Sequence, residues 1–256
     1  RRLRRRPDFL EVENSEEDRP PAAGPRARRP ALTPELATEL LFRSTEESGR
    51  LDVPVTAWTV AKRLVVSTLG RLLDARPYER TRERCDEEAE KALSANKRIV
   101  EPFPEARSML GRSLEQYFRM EDPREASAAC VECEVTTPIR GGDDGEPGIM
   151  LLPCVDRADG EVVGGKRALT LVDYGVNPRE TQNKLEFRMM VQAWALKESG
   201  VFACDVLRMR RLELYSGGRE LRKTLSAEEL AGVSERVARA WQAYLQAFPA
   251  EGASTR

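Results

Sequence analysis

Asp156 and Asp173 are the residues from which chemistry can be built in this sequence. Each follows an apolar run, MLLPCV before Asp156 and ALTLV before Asp173, and each is followed within four residues by a glycine. Short apolar runs bounded by turn residues read as strands, so two neighbouring strands each deliver one carboxylate near an end. Paired oxygens of this kind hold a hard divalent cation, Mg²⁺ or Mn²⁺, which keeps part of its water shell and turns one water into a nucleophile. A cationic side chain beside them would stabilise charge growing on a phosphate. One aspartate at a strand end is weak evidence. The pair, with a helix directly after it, is a moderately specific signal for metal-dependent cleavage of a phosphodiester.

Other chemistries are excluded or weakly signalled. The chain has no histidine, which removes His-ligated metals and Ser–His or Cys–His catalysis together. Its five cysteines are an odd, scattered set, unlike a disulfide framework, and they point to a reducing compartment. Cys130-x-x-Cys133 resembles half a zinc knuckle, but no second pair follows at zinc spacing, so buried thiols are the favoured reading. GGDDGEPG, residues 141–148, lacks the Lys-Ser/Thr of a phosphate loop and reads as a plain loop.

The elements that must position the two acids come from hydrophobic period. Thr33-Pro34-Glu35 is a helix start, with Leu36, Leu40 and Leu41 on its buried face and Gly49 as its stop. Trp58, Ala61, Val65, Leu69 and Leu72 recur at helical spacing and predict a helix from Val55 to Leu73. A charged helix follows from Tyr78 to Lys97, with Cys85, Ala89, Ala92 and Leu93 as a thin apolar stripe. Another runs from Glu105 to Phe118. The period then changes: residues 129–139 (ACVECEVTTPI), Ile149–Val155 and Ala168–Tyr174 read as strands, with Arg157-Ala-Asp-Gly160 and Gly164-Gly165 as turns. A helix from Thr181 to Glu198 is next, then a hairpin around Ser216-Gly217-Gly218. A last helix opens on the Ser226/Glu229 capping box and carries Val233, Val237, Trp241, Tyr244 and Phe248. The fold class is α+β (mixed α/β), divided as an arm over 1–32, a helical region over 33–103, a core over 104–250 and a tail over 251–256.

VDRADG, then LTLVDYG, then QAWALKESG on a helix resemble the RecB-like branch of the PD-(D/E)XK nucleases, and most of all the mitochondrial genome maintenance exonuclease group. In that family a G-x-x-D strand and a strand ending D-x-K precede a helix carrying glutamine and tyrosine, then a hairpin and a C-terminal helix. The resemblance covers about residues 104–248 and implies a restriction-endonuclease-like core sheet flanked by helices. It places Asp156 and Asp173 as metal ligands, with the Tyr174 carbonyl as a further one and Glu132 as a weak strand glutamate. The motif glycine falls on Pro153, the lysine on Gly175, the helix glutamine near Arg188 and the tyrosine near Gln192. The N-terminal histidine of many relatives has no counterpart. A retired site is therefore expected, with no catalytic residues and no cofactor. If the site were active, Asp156 and Asp173 would act with a migrated lysine, Lys166 or Lys184.

Composition bounds the partners. The chain has 256 residues, 33% charged, with a formal net charge of −1, so nucleic acid would be met by local patches and not by a global basic excess. No apolar run approaches the roughly 20 residues of a membrane span. The arm carries Arg1, Arg2, Arg4, Arg5, Arg6, Arg26, Arg28 and Arg29 with few large apolar side chains. It cannot offset its own ordering entropy and needs RNA or neighbouring proteins to give it a shape. Beginning at Arg1 reads as a trimmed chain, either the remnant of an organellar presequence or a simple boundary. Along the hairpin, Arg208, Arg210, Arg211, Arg219, Arg222 and Lys223 form a basic stripe that either meets phosphates, chiefly through Arg208, Arg210, Arg219 and Arg222, or blunts a sheet edge. The leading expectation is a non-catalytic nuclease-fold subunit, structural or RNA-binding, of a large ribonucleoprotein such as an organellar (mitochondrial) ribosome, with cytoplasm or nucleus left open. The rival is an active Mg²⁺- or Mn²⁺-dependent exonuclease on single-stranded DNA. A third reading is a protein scaffold whose groove has been filled.

Overall fold

A computed structural model describes residues 32–42, 55–139, 148–178, 182–215 and 217–247. Strands β1 (Ala128–Ile139), β2 (Gly148–Val163), β3 (Lys166–Gly175), β4 (Val206–Glu213) and β5 (Arg219–Thr224) form one mixed sheet in that spatial order. All neighbours are antiparallel except β3 and β4, which run parallel. Parallel neighbours need a crossover, and helix α6 (Gln182–Glu198) supplies it. Helices α1 (Pro34–Phe42), α2 (Ala57–Asp74), α3 (Arg82–Ala95), α4 (Lys97–Val100) and α5 (Glu105–Met120) precede the sheet, and α7 (Ala227–Ala247) closes the chain. The α+β class and the order of helices, meander, helix, hairpin and helix are as the sequence predicts.

Two apolar cores sit on the two faces of the sheet. On one, Leu169, Leu171, Leu207 and Met209 pack with Leu185, Met189 and Trp194 of α6 and Val233, Val237 and Trp241 of α7. On the other, Val172, Tyr174 and Leu212 pack with Leu64, Val65 and Leu69 of α2, Cys85 of α3 and Leu110, Leu114 and Tyr117 of α5. Strand alternation explains the split, since successive residues of β3 point to opposite faces. Residues 33–103 are thus not a region apart: α2 covers the same sheet as α5, and the boundary at 104 falls inside a shared core. Both helix starts read from sequence are capped, Thr33 accepting from the Leu36 N–H and Ser226 exchanging bonds with Glu229. The Gly49 stop, the 141–147 stretch, Ser216, Phe248 and residues 1–31 of the arm lie outside the described residues, while Leu32, assigned to the arm, is buried in the core and bridges to Met150.

Two readings are corrected. Arg157-Ala-Asp-Gly160 is not a turn: β2 runs through it to Val163, and the chain turns at Gly164 and Gly165, both at positive φ. The polar residues there belong to a buried ion network. Arg157 is 0% exposed and pairs with Glu121 at 2.7 Å and Asp159 at 2.8 Å, while Arg210 of β4 reaches the same Glu121 at 2.5 Å. The hydroxyls of Tyr117 and Tyr174 close over it, each accepting from Arg157 at 3.4 Å. Second, Cys130 and Cys133 are not separate thiols but a disulfide, with Cα atoms 6.2 Å apart. An extended strand would hold residues three apart at about 10 Å and on opposite faces. Glu132 at φ 46° and register shifts on both sides coil β1 locally and bring the pair together.

The network carries a pH signature. Burial works to raise the Glu121 pKa, but hydrogen bonds and charge from Arg157 and Arg210 prevail and lower it to about 2. Because its folded pKa lies below the unfolded one, its stabilisation is complete above about pH 4.5 and is lost as pH falls toward about 2. Burial raises Asp159 in the same cluster, so its contribution has the opposite sign. Glu121→Gln is expected to be less stable at neutral pH and to show a flatter acid limb in urea unfolding followed across pH. Arg157→Ala leaves Asp159 buried without its ion-pair partner and Glu121 with Arg210 alone, and about 3–5 kcal/mol of stability is expected to disappear in the same assay.

Candidate cation cradle at Asp156 and Asp173

Strand register creates the site. Arg157 of β2 pairs with Val172 of β3, which sets Asp156 beside Asp173 on the adjacent strand. The Tyr174 N–H donates to Asp156 Oδ2 at 2.8 Å and fixes that carboxylate. On the other side, parallel pairing places Arg211 of β4 opposite Asp173, and its Nη1 donates to Asp173 Oδ2 at 2.6 Å. Helix α6 offers Arg188 and Gln192, one turn apart and so on one face. Arg188 Nη1 stands 3.8 Å from Asp173 Oδ1, and Gln192 lines the pocket beside the acids.

The residue that completes the cluster is Lys62 of α2, which the sequence reading did not name. Its Nζ donates to Asp156 Oδ2, to Asp173 Oδ1 at 2.9 Å and to the Tyr174 carbonyl at 2.7 Å. An ammonium has three N–H donors, and all three are satisfied. These acceptors are the same three oxygens that the family resemblance assigns to a metal.

Charge follows geometry. Burial disfavours the Lys62 ammonium, but Asp156 and then Asp173 outweigh burial and raise its pKa. Asp173 is likewise opposed by burial, yet Lys62, Arg188 and Arg211 hold it well below the usual carboxylate range. Asp156 moves the other way: burial and the neighbouring Asp173 push it up against the pull of Lys62. Two carboxylates this close share their protons as a pair. Asp173 keeps the charge more firmly, because Arg188 and Arg211 join Lys62 around it.

Gly175 is the position that the resemblance aligns with the motif lysine. It shares a strand face with Asp173, and a Cβ built on it would lie 2.6 Å from Arg211 Nε and 2.8 Å from Cζ. Real side chains do not approach that closely, so the Arg211 guanidinium, 2% exposed, fills the space a side chain at 175 would need. The other lysines do not substitute. Lys184 pairs with Glu39 at 3.2 Å. Lys166 opens β3 seven residues before Asp173, about 23 Å along an extended strand. Glu132 packs against α2, with its Oε2 3.1 Å from the place of a Cβ on Gly70. Among the described residues no group of three His, Cys, Asp or Glu could hold a metal, so Glu132 does not join the aspartates. The pocket itself is about 30 Å³, room for a water or two, and is walled by Pro34 and Glu35 of α1.

The basic stripe on the hairpin is largely spoken for. Arg208 pairs with Glu161, Arg210 with Glu121 and Glu220, and Arg222 with Glu220 at 2.6 Å. Arg219 is exposed. Arg1 to Arg6 and Arg26 to Arg29 lie outside the described residues. With Lys62 on its oxygens and two guanidiniums against Asp173, the cradle does not fit a bound Mg²⁺ or Mn²⁺.

Gly175→Ala is therefore expected to cost about 1–3 kcal/mol through overpacking against Arg211. The same change in an Arg211→Ala background is expected to cost much less, and a double-mutant cycle in urea measures the coupling. Compared with family models and with curated proteins, the sequence matches none.

Proposed function

We propose that this chain is a non-catalytic protein of the RecB-like PD-(D/E)XK nuclease fold that serves as a structural or RNA-binding subunit of a large ribonucleoprotein, of the organellar-ribosome kind. The observation that carries the loss of catalysis is Arg211 standing in the space of the motif lysine, bonded to the acid a metal would need. The family resemblance gains support from Asp156 and Asp173 on neighbouring strands, from a β3–α6–β4 crossover, and from the hairpin and closing helix. It also gains support from Arg188 and Gln192, the resemblance's glutamine and tyrosine positions, which both border the acids. A pocket of about 30 Å³ cannot admit a nucleotide. Since Arg208, Arg210 and Arg222 are paired within the chain, RNA contact is assigned chiefly to the arginines of residues 1–32.

A second reading, a Mg²⁺- or Mn²⁺-dependent exonuclease on single-stranded DNA, is favoured by one observation: an amine does reach both acids, from Lys62 and not from strand β3. Incubating the chain with labelled single-stranded DNA and Mn²⁺ separates the two. No cleavage above background is expected, and cleavage abolished by Asp173→Ala would end the non-catalytic reading. RNA affinity is expected to fall steeply with salt and to drop sharply without residues 1–32. A response flat in salt would remove the RNA assignment.

A further inference from the structure

The Lys62 contacts deepen the non-catalytic reading and rest on it in one respect, that the native cradle is closed to metal. We infer that the Lys62 ammonium takes the place of a divalent cation, so that Asp156, Asp173 and the Tyr174 carbonyl form a latent cation site that opens when this side chain is removed.

Three observations carry it. The acceptors are two carboxylates and one carbonyl converging on a single point, the hard-oxygen set that Mg²⁺ and Mn²⁺ choose. All three ammonium protons are committed, so Lys62 has none with which to orient a water or meet a phosphate; it behaves as a ligand-saturated cation and not as a poised catalytic group. The surrounding charge also suits the exchange. Lys62, Arg188 and Arg211 face Asp156, Asp173, Glu35, which is 3.9 Å from Arg188, and Glu213, 3.9 Å from Arg211. Removing Lys62 leaves two cations against four carboxylates, a deficit that a divalent ion offsets. With Lys62 in place the same ion would have to break three hydrogen bonds and enter beside an ammonium.

The site can also be reached. The Lys62 side chain keeps 28% of its accessible surface, and the small pocket lined by Asp156, Asp173 and Gln192 has space for the waters a hydrated ion retains. Affinity in the opened site is set by few ligands and two nearby guanidiniums, so it belongs in the weak range of about 10⁻⁴–10⁻³ M.

The test is a Mn²⁺ titration of the full chain, wild type against Lys62→Ala, followed by loss of the free-ion paramagnetic resonance signal and by thermal melting. Lys62→Ala is expected to take up one Mn²⁺ with at least tenfold higher affinity than wild type and to melt higher when it is present. Asp173→Asn in the Lys62→Ala background should abolish that uptake, and wild-type melting should not respond. Wild-type uptake as tight as the variant's, or no uptake by Lys62→Ala, overturns the inference. Should Lys62→Ala not fold alone, it is refolded with Mn²⁺ or with NaCl at matched ionic strength: recovery with Mn²⁺ only supports the inference, and failure in both overturns it. DNA cleavage by the wild-type chain would end the non-catalytic reading whatever the titration gives. Absent uptake by Lys62→Ala would end the latent site and leave that reading standing.

Discussion

Two carboxylates held side by side under a packed sheet are a problem that this fold solves with one ammonium. Asp156 and Asp173 are almost fully enclosed, and neither can shed its charge into water. Left alone, one would have to bind a proton, as like-charged neighbours do. Lys62 crosses from α2 to pair with both and to cap the Tyr174 carbonyl, while Arg211 and Arg188 add further positive charge against Asp173. A helix 94 and 111 residues away in sequence is thereby fastened to the middle of β2 and the end of β3. Burying an ion pair is a poor source of net stability, but breaking one is expensive. The contact therefore specifies where α2 must sit more than it adds to the depth of the fold.

The same strands carry a second ion cluster on their opposite face. Asp156 and Arg157 are adjacent and point opposite ways, one into the cradle and one into the network of Glu121, Asp159 and Arg210. Tyr174 joins the two. Its amide and carbonyl serve the cradle, while its hydroxyl accepts from Arg157 and its ring meets Tyr117 edge-on. The central strands are consequently pinned from both faces by charge at the place where a nuclease would need room to bind substrate and metal.

Much of this was legible in the sequence, for identifiable reasons. The apolar stripes of α2, α5 and α7 recur at helical spacing, and the runs before Asp156 and Asp173 could only be strands. Arg157-Ala-Asp-Gly misled because arginine, aspartate and glycine favour turns when exposed, and nothing local says that Glu121 waits beneath them. Lys62 was missed because one lysine on an amphipathic helix ordinarily faces water. The available clue lay in its company. Val60, Ala61, Leu64, Val65 and Val66 surround it, all buried, so α2 is apolar around more of its circumference than a half-exposed helix requires. A charge within such a helix needs a partner, and Asp156 and Asp173 are the acids that the sequence sets together on neighbouring strands. The Cys130–Cys133 bond was not legible, since it depends on a coil in β1 at Glu132 that propensity does not reveal.

The charged groups of the cradle depend on one another. Replacing Asp156 alone would leave Lys62 short of a countercharge; replacing Lys62 alone would leave two carboxylates facing each other. Arg211 adds a further tie, since its guanidinium needs Asp173 and at the same time excludes any side chain at Gly175. Each member is held by the others, so single changes are costly even though exchanging the whole set for apolar side chains could be neutral. The two acids are kept because the charges around them are mutually dependent parts of the fold.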